Sequence, residues 1–410
     1  MYDRILIRYG DLMLKGRNKK QFIQAAVARV KEKVKSEKVT FETAHDRLYI
    51  RLNGENAETV MADLDKVSGL SSYSPVVKTG KDLDDIEKSS LELLEKLVKG
   101  QKSIKVETKR ADKTYPLTSQ EISKKIAGKI LPAFDGLSAD MHHPDLLLTI
   151  ELRSDAAYLF AEKIQGLGGF PVGTMGKGMA LLSGGIDSGV AAYLAMRKGI
   201  ETELIHFEST PLTPIESAQK VVDIAKKLAV YGMQNRVVLH FFPMRRIHEA
   251  ILKHVPEPYH ITILRRMMMR ISQRAAKRRK MFLLINGESV GQVASQTLSS
   301  LFVSDRAVSV PVIRPLATYD KNEIVDIAEK IGTYEIAIRP YEDCCQIYVP
   351  KSPATKPRDF YARRYETLFD YNEMIEEGLE EMATIIVSEK SELDLVASGF
   401  TVKEALIDKE

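Results

Sequence analysis

Six residues near the middle of the chain, Ser183-Gly184-Gly185-Ile186-Asp187-Ser188, place two hydroxyls, two glycines and a carboxylate in one tight run. Met179 to Leu182 before them reads as a short buried strand. Val190 to Arg197 after them reads as a helix, with Gly199 as its stop. A strand, a Ser/Gly-rich turn and a helix gather backbone N–H groups and the positive helix end around one point, which is how a phosphate is held. A glycine-rich turn with an ordinary helix cap is the plainer reading of the same letters. The run is not a Walker A loop, because around Gly176-Lys177 a proline (Pro171) and Gly178 stand where the first glycine and the hydroxyl should be. Nor is it G-x-G-x-x-G.

Other residues with chemical potential fall at predicted strand ends: His206-Phe207, Asn286-Gly287-Glu288-Ser289 and Gly291-Gln292-Val293-Ala294-Ser295-Gln296-Thr297. An aromatic beside a strand end can cover an adenine, and a glycine lets backbone approach closely. A helix over about 262–280 carries Arg266, Arg270, Arg274 and Arg278 at i, i+4 spacing beside Met267, Met268 and Ile271. It contains no Asp or Glu, so the expectation is a stripe of charge free for phosphates. Both cysteines, Cys344 and Cys345, follow Glu342-Asp343 and precede a proline-rich loop, a setting less like core than like accessible thiols. His248-Glu249 begins like a zinc-protease helix, but the next histidine, His254, lies on the wrong face.

The elements that must position these residues divide the chain. Strand Arg4 to Tyr9, a basic turn with Lys15 and Arg17, a helix bearing Phe22, Ala26 and Val30, strands at 39–41 and 48–52, a helix at 57–67 and a strand at 72–77 give β-α-β-β-α-β, a ferredoxin-like order. Residues 78–165 read as a second α+β unit, with Lys105, Lys109 and Arg110 crowding the end of its first strand. Residues 166–176 are a glycine-rich linker. From 177 to 395 strands and helices alternate, which predicts a mostly parallel, doubly wound sheet with its ligand at the strand C-termini. Residues 396–410 form a tail.

The 410 residues leave room for several domains, and 44% hydrophobic with 28% charged residues is ordinary globular composition. No apolar run resembles a signal peptide or a membrane span, and two adjacent cysteines supply neither a disulfide framework nor a four-thiolate metal site. A cytoplasmic protein is expected. The net charge of +4 says little, since distribution matters more than the total.

Ser183 to Ser188 resembles the PP-loop, S-G-G-x-D-S, of enzymes that cleave ATP between its α and β phosphates. Together with Gly-Asp-Leu-Met-Leu-Lys-Gly-Arg-Asn (10–18), Gly-Gly-Phe-Pro-Val-Gly-Thr (168–174), Gly-Glu-Ser-Val-Gly-Gln-Val-Ala-Ser-Gln-Thr (287–297), Arg-Pro-Leu (314–316) and Tyr-Glu-Asp-Cys-Cys (341–345), nearly the whole chain resembles the tRNA 4-thiouridine synthetases, or tRNA sulfurtransferases. The resemblance implies a multidomain α+β and α/β protein: a ferredoxin-like domain (1–77), an RNA-binding THUMP domain (78–165) and a PP-loop ATPase domain (177–395). It implies that Ser183, Gly184, Gly185 and Ser188 grip pyrophosphate and that Asp187 positions Mg2+. ATP contacts would fall on Leu181, Leu182, His206, Phe207, Arg265, Gly287 and Gln296, with Lys321 near the reacting groups and Cys344 as the functional thiol, Cys345 its competitor.

The implied reaction is adenylation of O4 of the uridine at position 8 of tRNA, then replacement of that oxygen by persulfide sulfur from a cysteine desulfurase. RNA contacts are expected from Lys15, Arg17, Lys105, Lys109, Arg110, Arg270 and Arg274. The sequence runs only about 60 residues past the cysteines, which implies a form without the rhodanese domain of longer relatives. A role toward thiamine synthesis and a homodimer are left open. The rival readings are another PP-loop tRNA-thiolating enzyme and a tRNA-binding protein with a vestigial ATP site.

Overall fold

The computed structural model describes residues 2–341 and 354–406. The chain forms two compact units, Met1–Phe170 and Pro171–Glu410.

The first unit contains β1 (Arg4–Arg8), α1 (Lys19–Lys33), β2 (Thr40–Thr43), β3 (Arg47–Arg51), α2 (Ala57–Leu64), β4 (Ser72–Thr79), α3 (Leu83–Leu97), β5 (Ser103–Arg110), α4 (Ser119–Ile130), β6 (Ser138–Ala139), β7 (Leu146–Leu152), β8 (Ala157–Phe160) and β9 (Ile164–Gln165). Phe22, Ala26 and Val30 recur every four residues on α1, so one face of that helix is buried against the sheet. The order β2-β3-β1-β4 is the ferredoxin arrangement. No linker separates it from the α3–β8 half of the unit. β4 pairs with β1 over Ser72–Val76 and with β8 over Val77–Thr79, so one strand belongs to both halves of a continuous sheet. α4 starts where Thr118 and Glu121 cap each other: the Thr118 hydroxyl accepts from the Glu121 N–H at 3.2 Å, and the Glu121 carboxylate accepts from the Thr118 N–H at 2.7 Å.

The second unit runs β10 (Lys177–Leu181), α5 (Ile186–Arg197), β11 (Glu201–Glu208), α6 (Ile215–Ala229), β12 (Arg236–Pro243), α7 (Arg245–His254), α8 (His260–Arg278), β13 (Leu284–Ile285), α9 (Leu298–Asp305), β14 (Val312–Ile313), α10 (Lys321–Lys330), α11 (Tyr334–Ala337), α12 (Asp359–Glu366), α13 (Tyr371–Glu380), β15 (Ala383–Ser388) and α14 (Val402–Leu406). The sheet order is β14-β13-β10-β11-β12-β15, parallel except for β15 at the edge. The chain leaves β10 in one direction through β11 and β12, then returns to the other side with β13 and β14. The order therefore reverses between β10 and β13, and that switch point is where a doubly wound sheet opens a crevice at its strand C-termini. One core on one face gathers α5, α6 and α10; the other gathers α7 and α8. Beyond Ile331 the sequence pattern assigns no element; the structure finds α11, α12, α13, β15 and α14 there.

His248 on α7 is fully buried, and that burial pulls its pKa down from the usual 6.5 to about 4. The unfolded chain takes up the proton near pH 6.5 while the folded chain resists it. This contribution to stability is therefore complete above about pH 6.5 and is lost as the pH falls toward 4. We expect the urea midpoint of the wild type to drop across that window and the His248→Leu variant, which cannot titrate, to drop less. Parallel curves for the two proteins would exclude His248 as a cause.

Candidate active site

β10 ends at Leu181 and the chain turns through the Ser/Gly run into α5, for which Gly185 in an extended conformation (φ −81°, ψ 167°) is the cap. Two serine hydroxyls lock this turn. Ser188 Oγ donates to the Ser183 carbonyl at 3.0 Å and accepts from the Ser183 N–H at 3.1 Å, while Ser183 Oγ accepts from the Gly185 N–H at 3.2 Å. Asp187 occupies the first turn of α5, where the helix dipole favours a negative charge.

Behind the turn lies a cavity of about 190 Å3. Of the residues expected to contact nucleotide, Leu181, Leu182, Ser183, Asp187, Ser188, His206, Phe207, Arg265, Gly287 and Gln296 all line it. Gly184 and Gly185 lie in the turn, off the lining. Met268, Met269, Asn286, Glu288 and Ser304 complete the wall. Asn286 and Glu288 belong to a strand-end segment that the sequence marks out. Met268 is visible in sequence only as an apolar neighbour of the arginine stripe, and Met269 and Ser304 carry no such mark at all.

The wall has two characters. Leu181, Phe207, Met268 and Met269 make one side apolar, with Phe207 edge-on to Phe242 at 6.2 Å. His206 is a fixture of that wall: its buried ring nitrogen Nδ1 lies 3.0 Å from the Leu182 carbonyl and ties β11 to the end of β10. The other side is charged. Lys321 Nζ donates to Asp187 Oδ1 at 2.6 Å and Gln292 Nε2 donates to Oδ2 at 2.9 Å, so both carboxylate oxygens have partners. Arg265 pairs with the buried Glu288, whose other oxygen accepts from Arg314 Nε at 2.8 Å, and Arg314 in turn grips Asp305 at 2.6 and 3.0 Å. Gly287 fits for a steric reason: a Cβ there would lie 2.8 Å from both the N and the Cα of Ser188.

Similarity to known proteins respects the same division. Residues 4–74 match the ThiI ferredoxin-like domain, 80–162 the THUMP domain, and 173–370 the thiamine biosynthesis protein (ThiI) family. A probable tRNA sulfurtransferase of Acholeplasma laidlawii is 49% identical over 406 residues, 99% of this chain and 98% of that one. One from Brevibacillus brevis is 44% identical over 379 residues, 92% and 94% of the two chains. The crystal structure of a 4-thiouridine synthetase–RNA complex with bound ATP superposes with a TM-score of 0.85 at 32% identity, covering 95% of this chain and all of that one. The chain belongs to the tRNA sulfurtransferase family.

The basic residues expected to meet RNA in this family are placed unevenly. In the first unit Lys109 and Arg110 line a polar groove of about 480 Å3 with Arg8, Arg47 and Arg153, three arginines that sequence reasoning does not single out. A signal for two of them exists in the strand register: Arg8 and Arg47 face each other across β1 and β3, a like-charge pair that needs an acid nearby. Glu151 is that acid, at 3.5 Å from Arg8 and 3.6 Å from Arg47, with Arg153 at 2.9 Å. Lys109 pairs with Glu107 at 3.2 Å, and Arg110 holds the Tyr115 and Leu117 carbonyls. Lys15 lies over the Phe22 and Phe170 rings at 4.7 and 4.2 Å; Arg17 is exposed; Lys105 donates to the Met141 carbonyl at 3.1 Å. None of these three lines the groove. Cys344 and Cys345 lie outside the described residues.

The arginine stripe of α8 corrects the sequence expectation. Its charge is not free. Arg266 is fully buried and makes two bonds of 2.8 Å to Glu366. Arg270 reaches the same carboxylate at 3.1 and 3.2 Å. Arg274 and Arg278 share Glu376 at 2.8 and 2.6 Å. The acids missing from α8 are supplied by α12 and α13, about a hundred residues later, so Arg270 and Arg274 serve packing between helices. Burial alone would raise the Glu366 carboxyl, but Arg266 and Arg270 hold it below its usual range. Removing one partner of a buried pair strands the other charge. We expect Glu366→Ala to lower stability by about 3–5 kcal/mol in denaturant melts. A change under about 1 kcal/mol would show that Arg266 finds water or another acid.

Proposed function

We propose that the chain is an ATP-dependent tRNA sulfurtransferase that makes 4-thiouridine at position 8 of tRNA. The supporting observation is the switch-point cavity, an apolar slot that opens onto a Ser/Gly turn with Asp187 and Lys321 at its polar end. Relatives over 99% and 92% of the chain carry the name probable tRNA sulfurtransferase, and the superposed 4-thiouridine synthetase carries ATP and RNA.

ATP suits this cavity by its chemistry. A purine fits among Leu181, Phe207, Met268 and Met269, and the phosphates then face the turn's N–H groups and the positive end of α5. Among the described residues no group of three or more His, Cys, Asp or Glu could hold a metal by itself. Mg2+ needs no such cage, because it is commonly held by one or two carboxylates together with substrate phosphates. Asp187 fits that role once Lys321 and Gln292 release an oxygen. Bound there, Mg2+ would neutralise phosphate charge. Lys321, freed from Asp187, has the charge and reach to steady the reacting phosphate.

In the proposed reaction uridine O4 attacks the α-phosphorus and pyrophosphate leaves. The terminal sulfur of a persulfide then attacks C4, and the oxygen departs on AMP. A second thiol attacks the remaining S–S bond, freeing the 4-thio group, and the disulfide it forms is reduced by an external thiol. A cysteine desulfurase supplies the persulfide sulfur, and Cys344 either carries it or resolves the persulfide, with Cys345 the alternative. The groove lined by Arg8, Arg47, Lys109, Arg110 and Arg153 supports a phosphate-binding surface for tRNA. Among the described residues no helix is long and apolar enough to cross a membrane.

With unmodified tRNA, ATP-Mg2+, cysteine and a desulfurase, we expect 4-thiouridine absorbance to rise in step with AMP and pyrophosphate. Binding of tRNA with neither product would favour the vestigial reading instead. For the thiol, Cys344→Ser is expected to retain pyrophosphate release while losing thiouridine, and Cys345→Ser to retain both. Thiolation by Cys344→Ser at the wild-type rate would remove Cys344 from the mechanism.

A further inference from the structure

The outer wall of the nucleotide cavity carries an exposed apolar strip. α9 presents Ser300 and Ser304 inward, both buried, with Ser304 on the cavity lining. Its opposite face presents Leu298 and Phe302 one turn apart, 71% and 60% exposed. Beside it, Phe360 near the start of α12 is 72% exposed. The two segments are fastened together at both ends: Thr297 Oγ1 donates to the Thr355 carbonyl at 2.7 Å, and Arg306 pairs with Asp359 at 3.5 Å. Single exposed apolar side chains are ordinary, but three large ones on adjoining segments at a ligand site are a patch.

The charges around this patch are unbalanced in one direction. Lys356, Arg358 and Arg364 are exposed, and among the described residues none has a carboxylate partner. The acids of α12 are already committed: Asp359 pairs with Arg266, Arg306 and Arg363, and Glu366 with Arg266 and Arg270. Exposed aromatic rings interleaved with unneutralised cations are the composition that binds unstacked nucleotides, ring against base and cation against phosphate.

The geometry points to this strip as the platform for nucleotides that flank the target base, an inference that rests on the function proposed above. A base whose O4 must meet the α-phosphate inside the cavity has to leave its stack, and its neighbours lose a stacking partner. Phe302 and Phe360 offer replacement faces on the outer wall, and Arg358, Arg364 and Lys356 hold the backbone that spans them. These residues position the RNA and touch no reacting atom.

The test is a pair of measurements on the full chain: tRNA affinity against salt, and thiolation kinetics. All the residues concerned are exposed, so the variants should fold. We expect Phe302→Ala and Phe360→Ala each to weaken tRNA binding about tenfold or more, with KM for tRNA rising, ATP affinity unchanged, and Phe302→Tyr restoring binding. Arg358→Ala and Arg364→Ala should each reduce the slope of log affinity against log salt by about 1. If the wild type binds and thiolates tRNA while the variants bind it equally well, the platform is refuted and the enzymatic reading stands. If the wild type binds tRNA without thiolating it, the enzymatic reading fails while the binding data still decide the platform. Variants that bind tRNA normally but lose only desulfurase-dependent sulfur would assign the strip to a protein partner, against the proposal. No tRNA binding by the wild type would overturn both.

Discussion

The second unit depends on how closely two backbones meet at its switch point. The chain leaving β13 passes the first turn of α5 so tightly that a single methyl group on Gly287 would fall 2.8 Å from backbone atoms of Ser188. That approach brings the segment after β13 alongside the turn after β10, and both bring polar groups to one place. The Asp187 carboxylate comes from α5, Gln292 from beyond β13, and Lys321 from the start of α10. Parallel strands put all three connections at the same edge of the sheet. The glycine lets them converge.

Among the described residues, charge in this unit is handled by separate chains of ion pairs. Arg265 and Arg266 are neighbours on α8, yet they face different acids. Arg265 turns to Glu288 at the cavity, and Arg266 turns to Glu366 on α12. Successive helical residues point about 100° apart, so one helix can line a ligand site with one arginine and anchor distant helices with the next. The consequence is rigidity at the cavity wall. Glu288 is buried between two guanidinium groups, with Arg314 fixed in turn on Asp305, so Arg265 is held from the protein side before any ligand arrives.

Sequence distance decides how much of this is legible in the sequence. Ser183 to Ser188 act on one another within six residues, so the turn and the helix start it makes can be read directly. Alternating and four-residue apolar spacing likewise announces the ferredoxin-like order and the parallel sheet. Gly287 is recognisable as a close-approach glycine, but what it approaches is the protein's own backbone. The arginines of α8 mislead because their partners, Glu366 and Glu376, lie about a hundred residues on, in helices whose short amphipathic patterns end and restart too quickly to stand out. Met269 and Ser304 are invisible for a related reason. An apolar or small residue on an inward helix face looks the same whether it meets core or cavity.

The polar end of the cavity sets the N-termini of α5 and α10 and the Lys321 ammonium around the Asp187 carboxylate, a field that suits the polyphosphate proposed for it. Lys321 is the first residue of α10, where its charge opposes the helix dipole at a cost of about 0.3–1 kcal/mol. Glu323 offsets part of this, and its carboxylate caps the helix by accepting from the Asp320 N–H at 2.8 Å. Asp187 must therefore answer the positive end of α5 and Lys321 with a single carboxylate. A protein selected only for stability would place an acid or a neutral residue at the head of α10. Keeping a lysine there leaves a site whose field is satisfied by added negative charge, which is what the proposed polyphosphate would bring.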